Sequence, residues 1–222
     1  IEKLMPLVDE YAESYNRLQK IDNEFEDKLK QSVLQYAMEG KLVKQDPSDE
    51  PASELIKKIE NEKAKLIKEG KIKKSKKLPA ITDDEKPFDI PDSWEWVRLD
   101  SLAQVLNGDR GKNYPGKEYW ISEGIPFINA GALGEKNINK SKINYISEQR
   151  YKLLRAGFIK NNDILYCLRG SLGKMSISRI NIGAIASSVC IIRLFDDRIL
   201  NYIWVALSSE FGKYLIKEFE NG

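Results

Sequence analysis

From Leu4 the apolar positions fall at Leu4, Val8, Tyr11, Tyr15, Leu18, Ile21, Phe25, Leu29, Val33 and Tyr36, a spacing of threes and fours that draws one narrow stripe along a helix. Such a stripe is a coiled-coil seam. Pro6 stands in the first turn, where its missing N–H costs nothing, and Gly40 is placed to end the helix. About 36 helical residues at 1.5 Å rise make a rod of roughly 50 to 55 Å. Asp46-Pro47-Ser48-Asp49-Glu50-Pro51 then reads as a loop, an N-cap and a proline at the first helical position. Leu55, Ile56, Ile59, Leu66 and Ile67 share one face of a second, shorter helix that runs to Gly70 and is expected to fold back. Two helices alone enclose little core, so the stripe must pack on its own continuation in a longer chain, on a second copy or on a partner. Simple dimerisation meets that need, and so does a spacer that also carries partner subunits.

Residues 78–92, with Pro79, Pro87 and Pro91, read as an extended linker, and Trp94-Glu95-Trp96-Val97-Arg98-Leu99 opens a new pattern. Short β-like runs follow at 125–129, 142–146, 163–169, 174–178 and 189–194, separated by Gly/Asn/Lys loops. A last amphipathic helix carries Ile203, Trp204, Leu207, Phe211 and Leu215. The expected fold is α+β: a long helical hairpin acting as a coiled-coil spacer over residues 1–78, a linker over 79–93, and a mixed α+β domain over 94–222.

With 41% hydrophobic and 32% charged residues, a chain of 222 residues buries one ordinary core plus an accessory element. No apolar stretch nears the roughly 18 to 20 residues that span a bilayer, and no signal region opens the sequence; a cytoplasmic protein away from membranes is expected. Cys167 and Cys190 lie in apolar β-like runs, which points to buried free thiols rather than a disulfide or metal site. The absence of histidine removes the usual general base, the common zinc ligand and any Ser-His-Asp or Cys-His arrangement. The first residue is Ile1, and the final helical pattern stops at Asn221-Gly222 without a closing element, so the chain is expected to be a fragment, truncated at its C-terminal end.

Charge changes the picture. Residues 1–93 hold 18 Lys/Arg and 21 Asp/Glu, whereas 94–195 hold 15 and 8, so the whole-chain value of +2 conceals a basic segment. Its cations lie mainly in loops: Asp109-Arg110-Gly111-Lys112 with Lys117, then 136–142, then Arg169-Gly170-Ser171-Leu172-Gly173-Lys174. Glycines beside Arg, Lys, Asn and Ser let backbone approach a phosphate while a few side chains reach base edges. Each loop alone reads equally well as an ordinary solvated loop. Residues 57–77 add ten lysines against three glutamates, a run that fits a solvated face and, less readily, phosphate contact.

Residues 25–43, Phe-Glu-Asp-Lys-Leu-Lys-Gln-Ser-Val-Leu-Gln-Tyr-Ala-Met-Glu-Gly-Lys-Leu-Val, and Asp49-Glu50-Pro51-Ala52-Ser53-Glu54-Leu55 resemble the helical region of type I restriction-modification specificity subunits. Ile90-Pro91-Asp92-Ser93-Trp94-Glu95-Trp96-Val97-Arg98-Leu99, Ile125-Pro126-Phe127-Ile128, the 168–174 turn and Ala186-Ser187-Ser188 follow in the order typical of that family's target-recognition domains. The resemblance implies two recognition domains and two helical regions in the whole protein, each domain reading half of a split DNA sequence while the helices set the gap. One of each is present here, as in the latter half of such a subunit or in a half-length subunit that pairs.

The resemblance further implies a non-catalytic chain. Its partners would be double-stranded DNA, modification (methyltransferase) subunits and restriction subunits, with self-association through the helices. S-adenosylmethionine, ATP and Mg²⁺ would sit on partner subunits only, so no cofactor is expected on this chain. The sequence lacks an Asn-Pro-Pro-aromatic or Asp-Pro-Pro-Tyr motif, a glycine-rich cofactor loop and a P-loop. Asp84-Glu85-Lys86 has nuclease-like spacing but lies in a proline-bounded linker with no preceding strand carboxylate. The expected DNA-binding residues are Arg110, Lys112, Lys117, Asn129, Lys136, Arg169, Ser171 and Lys174, with Arg110 and Arg169 on bases and the lysines on phosphates. A coiled-coil adaptor that binds only proteins is the main rival.

Overall fold

The computed structural model describes residues 4–76, 78–170 and 172–214. Helix α1 spans Met5–Met38, with proline in its first turn. It ends where Gly40 takes φ 68° and the Gly40 and Lys41 N–H groups donate to Ala37 and Tyr36 carbonyls at 3.1 and 2.9 Å, a left-handed cap that answers two orphan carbonyls. The stripe runs along α1 as the spacing predicts, and it is uncovered: Leu18, Phe25 and Leu29 are 55, 59 and 52% exposed.

Helix α2 spans Ala52–Lys68. Pro51 is its N-cap rather than its first helical residue, and the cap is not a side chain: the Ala52 N–H donates to the Ser93 carbonyl at 2.9 Å. The helix finds its apolar partner in the domain that follows, not along α1. Ile59, 1% exposed, packs with Leu102, Ala103, Ile164 and Ile192, and Leu55 flanks it. A sheet face must be covered by an element of matching breadth, whereas α1 presents only a narrow stripe.

The domain continues through α3 (Leu99–Leu102), β1 (Ala103–Asn107), β2 (Trp120–Ile121), β3 (Ile125–Ile128), β4 (Asn144–Ile146), α4 (Glu148–Lys152), β5 (Ile164–Cys167), β6 (Met175–Ile177), β7 (Ala184–Ile185), β8 (Val189–Leu194) and α5 (Leu200–Ser208). One sheet has the order β1-β8-β5-β6, antiparallel throughout. The other has the order β2-β4-β3-β7, with β3 and β7 parallel.

Successive residues of β5 and β8 serve different cores. Ile164, Tyr166, Cys190 and Ile192 face α2 and α5, while Leu165, Cys167, Val189 and Ile191 meet Ile128 and Ile185 of the second sheet. Burial on both faces is why these strands read as unbroken apolar runs. Phe127, Ile146, Leu154 and Ala184 form a third cluster with Tyr114, Trp120 and Tyr151. Both cysteines are buried and free, and burial pushes the Cys190 thiol up to about 11. Asp163, 1% exposed at its side chain, takes two hydrogen bonds from Arg193 at 2.7 and 2.8 Å and ties the start of β5 to β8.

Two stretches differ from the pattern read in sequence. The 78–92 segment is strapped down: Arg98 pairs with both Glu85 oxygens and reaches the Pro79 carbonyl, and Trp94 Nε1 donates to Gln45 Oε1 at 3.0 Å. The last helix is interrupted after Ser208 and resumes over residues 210–214. Ser209 turns extended, and its buried hydroxyl donates to the Ala206 carbonyl and accepts from the Gly212 N–H. Phe211 still reaches the Phe88 and Trp96 rings, while Leu215 lies outside the described residues. Among the described residues no helix is long and apolar enough to cross a membrane.

Candidate nucleic-acid interface

Strand pairing decides which loops meet. Asn107 at the end of β1 pairs with Cys190, and Cys167 at the end of β5 pairs with Val189, so both strands exit beside the start of β8. Met175 at the start of β6 pairs with Tyr166, which places the 168–174 turn there too. In the second sheet β3 and β7 exit together, and residues 186–188 carry β7 directly into β8. The chain after β3 leaves from, and β4 begins at, this same end, because Phe127 pairs with Asn144. The loops after β1, β3 and β5 therefore share one end of the sandwich.

Arg110 and Lys112 are exposed on the loop after β1. That loop hangs on the Asp109 carboxylate, 5% exposed, which accepts the Gly111 N–H at 2.7 Å and the Arg155 N–H at 2.8 Å. Those two backbone donors, with the Arg155 charge, hold the Asp109 carboxyl below the usual aspartate range despite burial. Arg169 and Lys174 flank a turn with Gly170 at φ 89° and Gly173 at φ 81°; the Leu168 N–H donates to the Ser188 carbonyl and the Cys167 N–H to the Lys174 carbonyl. Ser171 lies outside the described residues.

Asn129 follows β3 at the same end, but its side-chain oxygen caps the next turn, accepting from Gly131 and Ala132 N–H groups. Only its amide nitrogen is left to donate outward. Lys136 sits on the tip of the loop that runs back along the outer edge of β6, where its carbonyl accepts the Ile177 N–H at 2.7 Å. Lys117 is not brought to this end. It precedes β2, whose Trp120 is level with Ile125 at the start of β3, because both pair with Ile146.

Three cations escaped the sequence-based list. Lys140 and Lys142 lie in a turn that contacts residues 130–132, and the Asn139 N–H donates to the Ala132 carbonyl at 2.8 Å. Arg155 joins the Asp109 loop from the segment after α4. Its only sequence signal was position, an arginine two residues before Gly157, whose φ is 81°. Among the described residues, Arg110, Lys112, Lys140, Lys142, Arg169 and Lys174 form no ion pair. In the helical half, by contrast, several lysines pair with nearby acids, as in Lys57–Glu54, Lys58–Glu50 and Lys71–Glu69.

The lysine-rich run is anchored elsewhere. Lys63 and Ser75 both bond Asp100 in α3, at the start of β1 and so at the opposite end from the loops; Lys77 lies outside the described residues. Glu85 of the Asp84-Glu85-Lys86 triplet caps a short turn at Thr82 and is drawn down to about 2, chiefly by Arg98. Among the described residues no group of three or more His, Cys, Asp or Glu side chains is placed to hold a metal ion.

No family model matches the chain. Over 167 residues, 72% of its length, it is 42% identical to the EcoAI type I restriction enzyme specificity subunit of Escherichia coli, and over 109 residues, 46% of its length, it is 52% identical to the EcoEI specificity subunit of the same organism. The chain is a relative of type I restriction specificity subunits. It spans 28% and 18% of the lengths of those two proteins, less than a third of either. Among solved structures, it resembles the HsdS subunit from Thermoanaerobacter tengcongensis (TM-score 0.43, 18% identity, 72% of this chain and 36% of that one). It also resembles the type I S subunit from M. genitalium (TM-score 0.34, 22% identity, 52% of this chain and 26% of that one).

Proposed function

We propose that this chain is a DNA-reading part of a type I specificity subunit, which takes one half of a bipartite target in the major groove and docks modification subunits through its helices. The observation that carries the reading is the gathering of Arg110, Lys112, Lys140, Lys142, Arg155, Arg169 and Lys174 at one end of the sandwich. Within residues 108–112, 139–143, 153–157 and 168–174 the one acid is Asp109, which is buried. Cations with so little internal compensation repel one another in the free protein, and a polyanion relieves that repulsion. Arginines supply paired donors to guanine, and lysines meet phosphates as point charges. The chain performs no chemistry in this reading; S-adenosylmethionine, ATP and Mg²⁺ belong to the subunits it recruits, with restriction subunits completing the assembly.

The test is a salt titration of duplex binding by the chain assembled with modification subunits. Six or seven phosphate and base contacts predict an affinity loss of about 10³-fold or more between about 50 and 200 mM salt. Substituting Lys112, Lys140 or Lys174 by alanine should each lower the slope by about 0.9, whereas Lys57→Ala should leave it unchanged. A protein-only adaptor shows no duplex affinity and no such slope, and that outcome overturns the proposal.

A further inference from the structure

Arg155 is tied through its backbone to a buried carboxylate that also lies beside its side chain. Its backbone N–H donates to Asp109 Oδ2 at 2.8 Å, and its Nε lies 3.8 Å from the same oxygen, while the side chain remains 74% exposed. The guanidinium lies over Gly111, so closely that a Cβ there would collide with Nη2, and Arg110 and Lys112 flank that glycine. Two residues on, a Cβ at Gly157 would come within 2.8 Å of Gly108 Cα, so the loops cross backbone to backbone. Among the described residues the guanidinium donates no hydrogen bond, which leaves both Nη groups free to donate outward.

We propose that Arg155 reads a guanine through its two Nη groups and that Asp109 is the residue that positions it, an inference that rests on the DNA-binding reading above. A carboxylate 3.8 Å from Nε attracts that side of the guanidinium and leaves the two Nη donors on the side away from it, the pair that guanine O6 and N7 accept. Burial of Asp109 lets it hold the fork without competing for the ligand. The glycine at 111 leaves open the place where the guanidinium rests, and a side chain there would push the guanidinium aside.

The experiment offers random-sequence duplexes to the chain assembled with modification subunits, and reads the bound sequences for wild type and the variants R155A, R155K, G111A and D109N. Wild type enriches a motif. R155A and R155K lose the preference for guanine at one position by about 5- to 150-fold, the value of one bidentate pair. R155K retains the salt slope. G111A, at a backbone conformation open to alanine, displaces the fork without removing its charge and loosens the same position. D109N does likewise, and D109N/R155A is no looser than R155A alone.

Because the Arg155 side chain is exposed, R155A should melt with the wild type, which separates lost reading from lost folding. An unchanged motif in R155A overturns the inference. So does a uniform weakening on all sequences that R155K restores, since that is a phosphate contact. If the wild type enriches nothing and binds no duplex, the DNA-binding reading fails along with the inference; if it enriches a motif indifferent to Arg155, only the inference fails.

Discussion

Replacing Ile59 by alanine tests whether α2 is part of the domain or part of the rod. Ile59 is 1% exposed and is the one buried residue of α2, wedged against α3, β5 and β8. Truncating a buried isoleucine to alanine costs about 2 to 5 kcal/mol, from lost transfer energy and the cavity left behind. For a domain of this size that corresponds to a midpoint drop of about 5 to 15 °C. Leu18 on α1 is the control: it is 55% exposed, so Leu18→Ala should change stability by less than about 0.5 kcal/mol. Thermal unfolding followed by near-ultraviolet circular dichroism of the tryptophans reads both variants. Each melt is run at two chain concentrations, because a stripe buried only between copies makes the midpoint concentration dependent. A Leu18→Ala loss equal to that of Ile59→Ala at every concentration would mean that α1 is packed within the monomer, and the placement of both helices would be refuted.

Asp163→Ala should cost about 3 to 5 kcal/mol in urea unfolding, since it leaves the half-buried Arg193 guanidinium without its counter-charge and, among the described residues, with only the Phe158 carbonyl as acceptor; a loss below about 1 kcal/mol contradicts the role given to the pair. Gly157→Ala should destabilise by about 1 to 3 kcal/mol, because φ 81° is strained for alanine and the added carbon meets Gly108, and it should weaken duplex binding by disturbing the Arg155 loop. The Asp109 carboxyl is lowered in the folded state, so its stabilisation is full above the unfolded value near 4 and is lost as pH falls through the folded value. D109N should remove that part of the acid limb, and an identical acid limb in the variant argues against it. Cys190, raised to about 11, should resist thiol alkylation at pH 8 until the protein unfolds, as rapid labelling of the native chain would disprove.

Periodicity revealed what depends on neighbours in sequence, and missed what depends on pairing across the fold. The α1 stripe, the Gly40 stop and the unbroken runs of β5 and β8 were legible because each is set by local spacing or by burial on both faces. β7 has two residues and β1 carries Gln104 and Asn107, so neither produces a pattern; they exist because β8 and β3 offer them an edge. Ser209 puts a bend into a helix whose apolar rhythm and helical backbone continue past it, since its hydroxyl satisfies backbone groups on both sides of the bend. The same limit applied at the site. Arg110, Arg169 and Lys174 stood out beside glycines, but Lys117 looked identical in sequence and only strand register sends it to the other end. Arg155 was hidden because its partner, Asp109, lies 46 residues away.

Charge compensation, more than charge count, separates the two basic regions. The densest lysines in the sequence are those of residues 57–76, yet five of them, at 57, 58, 63, 65 and 71, already hold an acid within 4.0 Å. Exposed pairs of this kind add little stability, but they cancel the field that a polyanion would feel. The loop end has fewer cations and almost no answering acid, and its one carboxylate is buried and turned to holding loops in place. Folding alone gives no reason to collect like charges there: strand register could have dispersed those loops, as it disperses Lys117. Self-repulsion left uncompensated at one end, while five lysines of the other basic run are paired, is the pattern that the proposed binding of a polyanion requires.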